Sequence, residues 1–336
     1  MSQYVVAVAG ATGAVGAEML ATLEKRGFPV RKLRLLASER SVGKKLKFRG
    51  SEVAVEALTD GAFKGVELAL FSAGAERSRA FAPAAVASGA VVVDNSSAFR
   101  MDDTVPLVIP EVNPQEVAKH RGIIANPNCS TIIALVPLWP LHKAARITRL
   151  VAATYQAVSG TGAKAIDELE QQVRAWAGGQ PLRKGVYPHQ IAFNVLPQVG
   201  PADASGYTQE ERKLLHETRK IFGDGHIRVS ATCVRVPVFR SHSEALFIET
   251  ERKLTVAEAR AILSKAPGVI LRDDVNANQY PMPIEASGHG EVLVGRIRED
   301  SSCDKGLALW VAGDQLLKGA ALNAVQIAET LYGLKS

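Results

Sequence analysis

The sequence predicts an α/β fold with two domains, and three observations support this prediction. First, an apolar strand at residues 4–9 runs into a glycine-rich turn and then a helix, an order typical of a parallel sheet covered by helices. Second, short strands and helices alternate up to about residue 125. Third, later strands show more polar alternation, which indicates a second domain. A chain of 336 residues is long enough for two domains that each bury a core.

Composition narrows the class of protein. Hydrophobic residues make up 47% of the chain and charged residues 22%, as in ordinary soluble globular proteins. Only three cysteines are present, which argues against a disulfide framework and for a reducing compartment. No basic signal-peptide region opens the chain and no apolar run approaches the length of a membrane span. We therefore expect a cytoplasmic protein with no membrane partner.

The net charge of +6 raises the question of a nucleic-acid partner. The basic residues are scattered among acidic ones, without a Lys/Arg block or interleaved aromatic residues, so we expect no nucleic-acid partner. A basic balance also suits anionic small molecules, which it steers toward a positive cleft. We therefore expect an anionic small-molecule substrate.

The glycine-rich turn after the first strand is GATGAVG, residues 10–16, and it precedes a helix predicted for residues 17–25. Strand, glycine turn and helix in this order form the Rossmann-like dinucleotide-binding arrangement, in which backbone N–H groups approach a pyrophosphate. The spacing is G-x-x-G-x-x-G rather than the commoner G-x-G-x-x-G. The alternative is a tight turn that only packs the helix on the strand.

The end of the second predicted strand, residues 33–37, indicates which dinucleotide binds. Sites for NAD usually place Asp or Glu there to hold the ribose 2′-hydroxyl. Glu39 would by itself favour NAD. The strand is otherwise followed by side chains that complement a 2′-phosphate: Ser38, Arg40, Ser41, Lys44 and Lys45. We predict NADP as the cofactor.

Two further strands are predicted at residues 68–71 and 91–94, with a helix at residues 75–88 between them. The second strand is followed by a polar loop that ends at Arg100. Ligands gather at the carboxyl ends of strands in open α/β sheets, so Arg100 lies where an anion would bind. The alternative is a solvated loop arginine.

Cys129 is the candidate nucleophile. It follows an apolar strand predicted at residues 122–125, which ends at Asn126-Pro127 because the residue before a proline is pushed out of the α region. A helix-compatible run follows it, from Ser130 to Leu138. Near a helix N-terminus the dipole favours a thiolate over a thiol. The alternative is a buried, inert cysteine.

The second half of the chain mixes strands and helices. We predict strands at residues 150–157, 228–234, 246–251, 269–271, 292–298 and 307–311, and helices at residues 163–177, 208–222, 256–265 and 316–334. Residues 178–206 are polar and rich in Pro and Gly, which is typical of an irregular segment such as a lid or an oligomer contact. The charges of helix 208–222 are by themselves typical of a solvated face.

His242 is the candidate acid/base among the seven histidines. It is predicted on a loop between strands, near Arg235 and Arg240, and histidine suits proton transfer at neutral pH. No pair of histidines or cysteines has metal-ligand spacing, so we expect no metal. A thiolate, NADP and arginines that bind carboxylate or phosphate together indicate phosphorylating aldehyde dehydrogenase chemistry.

Five motifs in order resemble the aspartate-β-semialdehyde dehydrogenase family over essentially the whole chain. They are GATGAVG at 10–16, DNSSAFR at 94–100, NPNC at 126–129, TYQAVSG at 154–160 and RVPVFRSHSE at 235–244. The resemblance implies a Rossmann-like NADP-binding domain at residues 1–127, with the C-terminal helix, residues 314–336, packed back on it. It also implies an α+β catalytic and dimerisation domain with a mixed sheet at residues 128–313, and a homodimer or higher homo-oligomer.

The resemblance implies a role for each matching residue. Cys129 would form the acyl thioester, His242 would be the acid/base, and Gln156 would orient the substrate. Arg235 would bind the substrate carboxylate, and Arg100 and Lys213 would bind the phosphate. Glu210 would be a further active-site member, so the resemblance implies that helix 208–222 is more than a solvated face. The implied cofactor contacts are Gly10, Thr12, Gly13, Ala14, Val15, Ser38, Arg40, Ser41, Ser159, Gly160 and Gln315.

The reaction that the resemblance implies is reductive dephosphorylation of L-aspartyl 4-phosphate to L-aspartate 4-semialdehyde, in lysine (diaminopimelate), methionine and threonine biosynthesis. One alternative is N-acetyl-γ-glutamyl-phosphate reductase, which shares the fold and the Cys/His pair. Another is a non-catalytic NADP-binding paralogue, which we would expect to lack some of the reacting side chains. The chain departs from the family pattern at Gln315, where Asn is usual, and at Ser241, where glycine often precedes the histidine.

Overall fold

The computed structural model describes residues 3–334 and shows two compact units. The first unit consists of the chain up to Asn128 together with the chain from Ala320 onward, and the second is Cys129–Gly319. The strands are Tyr4–Ala9 (β1), Val30–Ala37 (β2), Lys45–Phe48 (β3), Ser51–Ala57 (β4), Leu68–Phe71 (β5), Val91–Asp94 (β6), Ile123–Ala125 (β7), Ile147–Gln156 (β8), Arg228–Arg235 (β9), His242–Thr250 (β10), Val269–Leu271 (β11), Val292–Glu299 (β12) and Gly306–Gly313 (β13). The α-helices are Ala14–Lys25 (α1), Ala75–Ala87 (α2), Cys129–Ala145 (α3), Ala163–Ala177 (α4), Gln209–Phe222 (α5), Val256–Leu263 (α6), Pro283–Ala286 (α7) and Leu322–Leu331 (α8).

The first unit contains a seven-stranded sheet in the order β3-β4-β2-β1-β5-β6-β7. All neighbouring strands are parallel except β3 and β4, which form an antiparallel pair. The apolar β1 lies near the middle and is buried from Val5 to Ala9, as a parallel-sheet strand should be. The predicted Rossmann-like α/β architecture is confirmed, but the edge strand β3 and its neighbour β4 were not predicted, because both are short, carry charged residues and lack a continuous apolar run.

The C-terminal helix α8 packs on α1 within the first unit. Arg26, the C-cap residue of α1, holds the buried carboxylate of Glu329 through two hydrogen bonds of 2.6 and 2.7 Å, a bidentate charge-assisted pair. The predicted continuous helix at residues 316–334 is wrong in its first turn. That turn, Leu317–Ala321, is π-helical, and residues 314–319 belong to the second unit.

The second unit is built on a six-stranded sheet in the order β11-β12-β13-β10-β8-β9. The two outermost pairs are parallel and the inner pairs antiparallel, which confirms the predicted mixed sheet. Helix α3 packs against β10, and α5 packs against β9. Residues 178–206 contain no helix or strand. In the described part of the chain, no helix is both long and apolar enough to cross a membrane.

Candidate active site

The glycine turn of the first unit is closely packed at Gly10 and Gly16 and exposed to solvent at Gly13. Gly10 has φ +87°, and a Cβ there would lie 2.3 Å from the carbonyl oxygen of Ser72. A Cβ on Gly16 would lie 2.3 Å from the carbonyl oxygen of Gly10. Gly13, the N-cap of α1, is exposed, and the first turn of α1 has no acidic side chain. This N-terminus therefore fits a pyrophosphate.

The segment after β2 lies beside the glycine turn. Thr12 Oγ1 and Ser41 Oγ are 3.4 Å apart, and Arg40 is exposed on the 3₁₀ turn of residues 39–41. An exposed guanidinium with neighbouring hydroxyls fits a 2′-phosphate. Lys45 lies in β3 and pairs with Glu52 at 2.9 Å. Ser38, Ala14 and Val15 are half-buried.

Arg100 is not a solvated loop arginine, because the residue is only 7% exposed. Its Nε donates to the carbonyl of Asn126 at 2.9 Å and its Nη2 to the carbonyl of Asn95 at 3.0 Å. The loop before it is fixed by Asp94, whose carboxylate accepts from the backbone N–H and the hydroxyl of Ser96. Burial raises the pKa of Asp94. The guanidinium is therefore held at the carboxyl ends of β6 and β7.

Cys129 is the first residue of α3 and a half-buried cysteine outside any disulfide. A Cβ on Gly319 would lie 2.8 Å from the Cβ of Cys129. This is too close for two carbon atoms, so any side chain at position 319 would displace one of the two residues. Glycine at this position therefore leaves the space that the cysteine side chain occupies. We did not single out Gly319 in the sequence; the available signal was a glycine inside a helical pattern.

Gln156, Arg235 and His242 lie at the same end of three neighbouring strands. Gln156 ends β8 and pairs with Arg235 on β9, and His242 opens β10 on the other side of β8. The prediction that His242 lies on a loop is wrong, because its backbone pairs with Gly313 of β13. All three side chains are buried, and His242 has no exposed surface.

The backbone of Ala157 connects the arginine and the histidine. Its carbonyl accepts from Arg235 Nη1 at 2.6 Å, and its N–H donates to His242 Nδ1 at 3.0 Å. A Cβ on Gly160 would lie 2.9 Å from Arg235 Nη1 and 3.2 Å from His242 Nε2, so Gly160 leaves both groups room. No side-chain pattern singles out Ala157, because only its backbone atoms make these contacts.

His242 is held in its neutral form. Burial lowers its pKa to about 3, and the nearby positive charge of Arg235 acts in the same direction, while Glu210 acts against it. Its Nε2 has no hydrogen-bond partner among residues 3–334. Two residues further along β10, the fully buried Glu244 has a pKa raised well above its usual value by burial.

Glu210 and Lys213 extend this cluster from helix α5. Glu210 accepts from Gln156 Nε2 at 3.2 Å and from Lys213 Nζ at 2.9 Å. The other end of the Gln156 amide accepts from Thr154 Oγ1 at 3.3 Å, so its orientation is fixed from both sides. Part of the charged face of α5 therefore contacts this buried cluster, and Thr208 caps the helix through a capping box.

Gln315 and Ser159 meet beside the histidine strand. The Gln315 amide donates to Ser159 Oγ and accepts from the backbone N–H of Ser241 at 2.7 Å. Ser241 has φ +73°, a conformation that glycine adopts at lower cost. Arg240 binds the buried Asp314 at 2.6 Å, so it anchors the segment that carries Gln315.

Comparison with known proteins agrees with these features. Residues 5–120 match the family described as semialdehyde dehydrogenase, NAD binding domain, and residues 138–318 match semialdehyde dehydrogenase, dimerisation domain. The aspartate-semialdehyde dehydrogenase of Aquifex aeolicus is 55% identical over 332 residues, 98% of each chain. The crystal structure of aspartate semialdehyde dehydrogenase II from Vibrio cholerae complexed with ASA has a TM-score of 0.97 at 47% identity, covering 99% of each chain. The Candida albicans enzyme with NADP has a TM-score of 0.76 at 26% identity, covering 98% of this chain and 99% of that one.

Proposed function

The chain belongs to the aspartate-semialdehyde dehydrogenase family, and from this premise we propose that it interconverts L-aspartyl 4-phosphate and L-aspartate 4-semialdehyde with NADP. The observation that carries the proposal is the Ala157 backbone, which holds a buried guanidinium and a buried imidazole by hydrogen bonds of 2.6 and 3.0 Å. This arrangement suits a substrate with a carboxylate at one end and a reacting carbonyl at the other. The proposed setting is cytoplasmic lysine, methionine and threonine biosynthesis.

Cys129 supplies the nucleophile. In the direction of semialdehyde formation, its thiolate attacks the acyl phosphate carbon and the C–O bond to phosphate breaks, which leaves a thioester. When bound, NADPH supplies the hydride that the thioester must receive. In the reverse direction a phosphate oxygen attacks the thioester carbon, and the C–S bond breaks to return the thiolate. The N-terminus of α3 favours the negative sulfur in both directions.

The other buried side chains bind and orient. Arg235 takes the substrate carboxylate, because a guanidinium forms two parallel hydrogen bonds with it. Gln156 orients the substrate beside Cys129, with its own amide fixed by Thr154 and Glu210. His242 acts at the carbonyl oxygen as the acid–base group. Arg100 and Lys213 bind the phosphate.

NADP would be held by two groups of residues. The glycine turn and the segment after β2 take the pyrophosphate and the 2′-phosphate, and the bonded pair Ser159 and Gln315 takes the nicotinamide half. The residues in these positions are Gly10, Thr12, Gly13, Ala14, Val15, Ser38, Arg40, Ser41, Ser159, Gly160 and Gln315.

One assay tests the proposal directly. We expect the purified protein to reduce NADP⁺ when L-aspartate 4-semialdehyde and phosphate are both present, and not when either is omitted. N-acetylglutamate semialdehyde in place of aspartate semialdehyde tests the alternative reductase, which needs a pocket for the acetyl group. Turnover of that compound alone would replace our proposal, and NADP binding without turnover of either would indicate a non-catalytic paralogue.

Replacing Arg40 by alanine is expected to weaken NADP⁺ binding about 10–100-fold, because the variant loses a charge-assisted contact with the 2′-phosphate worth about 1.5–3 kcal/mol. Binding of NAD⁺, which has no such phosphate, should change less than about 2-fold. Fluorescence titration with both cofactors measures the two constants. Glu39→Ala, at the neighbouring exposed position, is the matched control. An equal loss for both cofactors would assign Arg40 to a general role instead.

We further propose a homodimer formed through the outer face of the second sheet. Helix α3 packs against the inner face, and the outer face carries apolar side chains that remain half-buried or exposed: Val151, Ala153, Val234, Ala245, Phe247, Trp310 and Tyr155. Val151 and Phe247 are direct neighbours in the register. The match of this unit to a dimerisation domain supports the proposal.

Val151→Asp should therefore convert the dimer to a monomer, because a carboxylate placed in an apolar interface loses its hydration without a partner. Analytical ultracentrifugation at micromolar protein gives the mass, and circular dichroism checks the fold. Lys265→Asp places the same side chain on an exposed position after α6 and should leave the mass unchanged. A Val151→Asp protein that keeps the dimer mass would locate the interface elsewhere.

A further inference from the structure

The irregular segment at residues 183–196 is bonded to a buried side chain of helix α4. Gln172 is 1% exposed, and its amide nitrogen donates to the carbonyl of Arg183 at 2.9 Å. Its amide oxygen accepts from the backbone N–H groups of Ile191 at 3.1 Å and Ala192 at 2.9 Å. One side chain therefore holds the segment at two points that lie eight or more residues apart along the chain.

Glu168 fixes the segment at another point. The residue is buried, and its carboxylate accepts from the amide nitrogen of Gln172 at 3.1 Å and from the backbone N–H groups of Gly185, at 3.1 Å, and Val186. With this bond the Gln172 amide uses both its donors and both its acceptor positions. Apolar side chains of the segment and of its surroundings form one buried cluster: Ile191, Ala192, Leu196, Val158, Ala165 and Leu169. Such buried contacts are typical of fixed structure, whereas mobile segments have few of them.

The far end of the segment is bonded to Arg235, the residue that we propose binds the substrate carboxylate. The N–H of Leu196 donates to the carbonyl of Arg235, and the N–H of Arg235 donates to the carbonyl of Leu196, both at 2.9 Å. Strand β9 is the last strand on this side of the sheet, so Leu196 provides the backbone partner that a further strand would provide. On the other side, the N–H of Val236 donates to the carbonyl of Gln156 in β8 at 3.0 Å. The main chain at Arg235 is therefore held from both sides.

Tyr187 connects the middle of the segment to the loop beside the Arg235 guanidinium. Its hydroxyl donates to Thr161 Oγ1 at 2.9 Å, and because burial raises the pKa of this phenol, it keeps its proton at neutral pH. Thr161 follows Gly160, where a Cβ would lie 2.9 Å from Arg235 Nη1. The segment thus supports the main chain of Arg235 at one point and the loop against its guanidinium at another.

We propose that residues 183–196 form a fixed wall that positions Arg235 for the substrate carboxylate, with Gln172 as the positioning residue that holds this wall. The proposal deepens the proposed function and rests on its assignment of Arg235. It is carried by the path that leads from the buried Gln172 amide along residues 191–196 to the main chain of Arg235. Of the two interpretations of this irregular segment, a lid or an oligomer contact, the wall replaces the lid.

Gln172→Leu should release the wall, because the backbone N–H groups of Ile191 and Ala192 stay buried and lose their partner. We expect kcat/KM for aspartate semialdehyde to fall about 10–100-fold, since a binding group misplaced by about 1 Å can cost that much. Oxidation of propanal, an aldehyde without a carboxylate, should change less than about 2-fold. Gln171→Leu makes the same substitution at the exposed neighbouring position and should leave both rates unchanged. An equal loss for both aldehydes, or no loss for either, would overturn the proposal.

Tyr187→Phe is a milder second variant, because it removes a single hydroxyl and keeps the ring. It should lower kcat/KM for aspartate semialdehyde about 2–10-fold and leave propanal oxidation unchanged. Circular dichroism checks that each variant is folded. A folded Tyr187→Phe protein with no loss on aspartate semialdehyde, or with the same loss on both aldehydes, would contradict a positioning role of the wall.

Hydrogen exchange read by mass spectrometry tests the wall without a substrate. In the parent protein, the amides of Ile191, Ala192 and Leu196 should exchange at least about 10²-fold more slowly than in an unstructured peptide. Exchange at the unstructured rate would establish a mobile lid and overturn the proposal. In Gln172→Leu the Arg235 amide should exchange faster than in Gln171→Leu, and equal rates would break the path to Arg235. These outcomes hold even if the parent protein fails to oxidise aspartate semialdehyde, a result that would refute the proposed function alone.

Discussion

Cys129→Ser is expected to lower kcat for phosphate-dependent oxidation of aspartate semialdehyde by more than about 10³-fold. The serine hydroxyl is a far weaker nucleophile than a thiolate at neutral pH, and the helix dipole cannot ionise it. The binding of NADP⁺ should be unchanged, because the cofactor residues are intact. With phosphate omitted, a rapid burst of NADPH up to one equivalent per site should occur in the parent protein and disappear in the variant.

The matched control is Cys303→Ser. Cys303 is likewise a half-buried cysteine outside any disulfide, but it lies in a turn before β13 rather than at a helix N-terminus. Its loss should leave kcat within about 2-fold. Cys233 is a poorer control, because burial raises the pKa of its thiol and its backbone N–H binds Glu211. Full activity in Cys129→Ser would show that the reaction does not pass through a thioester on Cys129.

Arg235→Gln is expected to lower kcat/KM for aspartate semialdehyde by about 10³-fold. Removing one member of a buried hydrogen-bonded charge pair costs about 2–5 kcal/mol, and the substrate carboxylate would be left without its guanidinium. Arg235 also fixes the carbonyl of Ala157 at 2.6 Å. Part of the loss should therefore appear in kcat, through less exact placement of the His242 ring.

Two controls separate these contributions. Arg228→Gln changes an exposed arginine at the other end of the same strand β9 and should have little effect. A simple aldehyde without a carboxylate, such as propanal, should be oxidised slowly by the parent protein and by Arg235→Gln at rates within about 10-fold of each other. If both substrates lose the same factor, Arg235 positions the site and does not bind the carboxylate.

The first domain was the more predictable part of the fold. Strand β1 is one continuous apolar run, and a turn such as GATGAVG leaves few backbone alternatives, because Gly10 needs φ +87° and has no room for a Cβ. The hairpin β3–β4, at one edge of the sheet, escaped prediction because short strands that carry charged residues resemble loops in a single sequence. His242 was placed on a loop for a related reason: its strand begins at a residue whose pairing partner, Gly313, is 71 positions away.

The candidate site likewise contains features that local sequence predicts and features that depend on contacts between distant residues. The sequence by itself determined that a cysteine opens a helix and that a glycine turn precedes it, since proline, glycine and apolar spacing act over a few neighbouring residues. The roles of Glu210, Lys213 and Gln156 came from resemblance to a family, and they stay predictions here. Periodicity alone indicated a solvated face for α5.

Only the tertiary structure decided how the reacting groups are held. Strand register places Gln156 beside Arg235, and the backbone of Ala157 joins Arg235 to His242 across 78 and 85 residues of sequence. These bonds hold the Arg235 guanidinium and the His242 ring in place, and Gly319 leaves the space for Cys129. Such features depend on contacts between distant segments and on backbone atoms that every residue has. A local sequence pattern therefore contains no signal for them, whereas the folded chain specifies them fully.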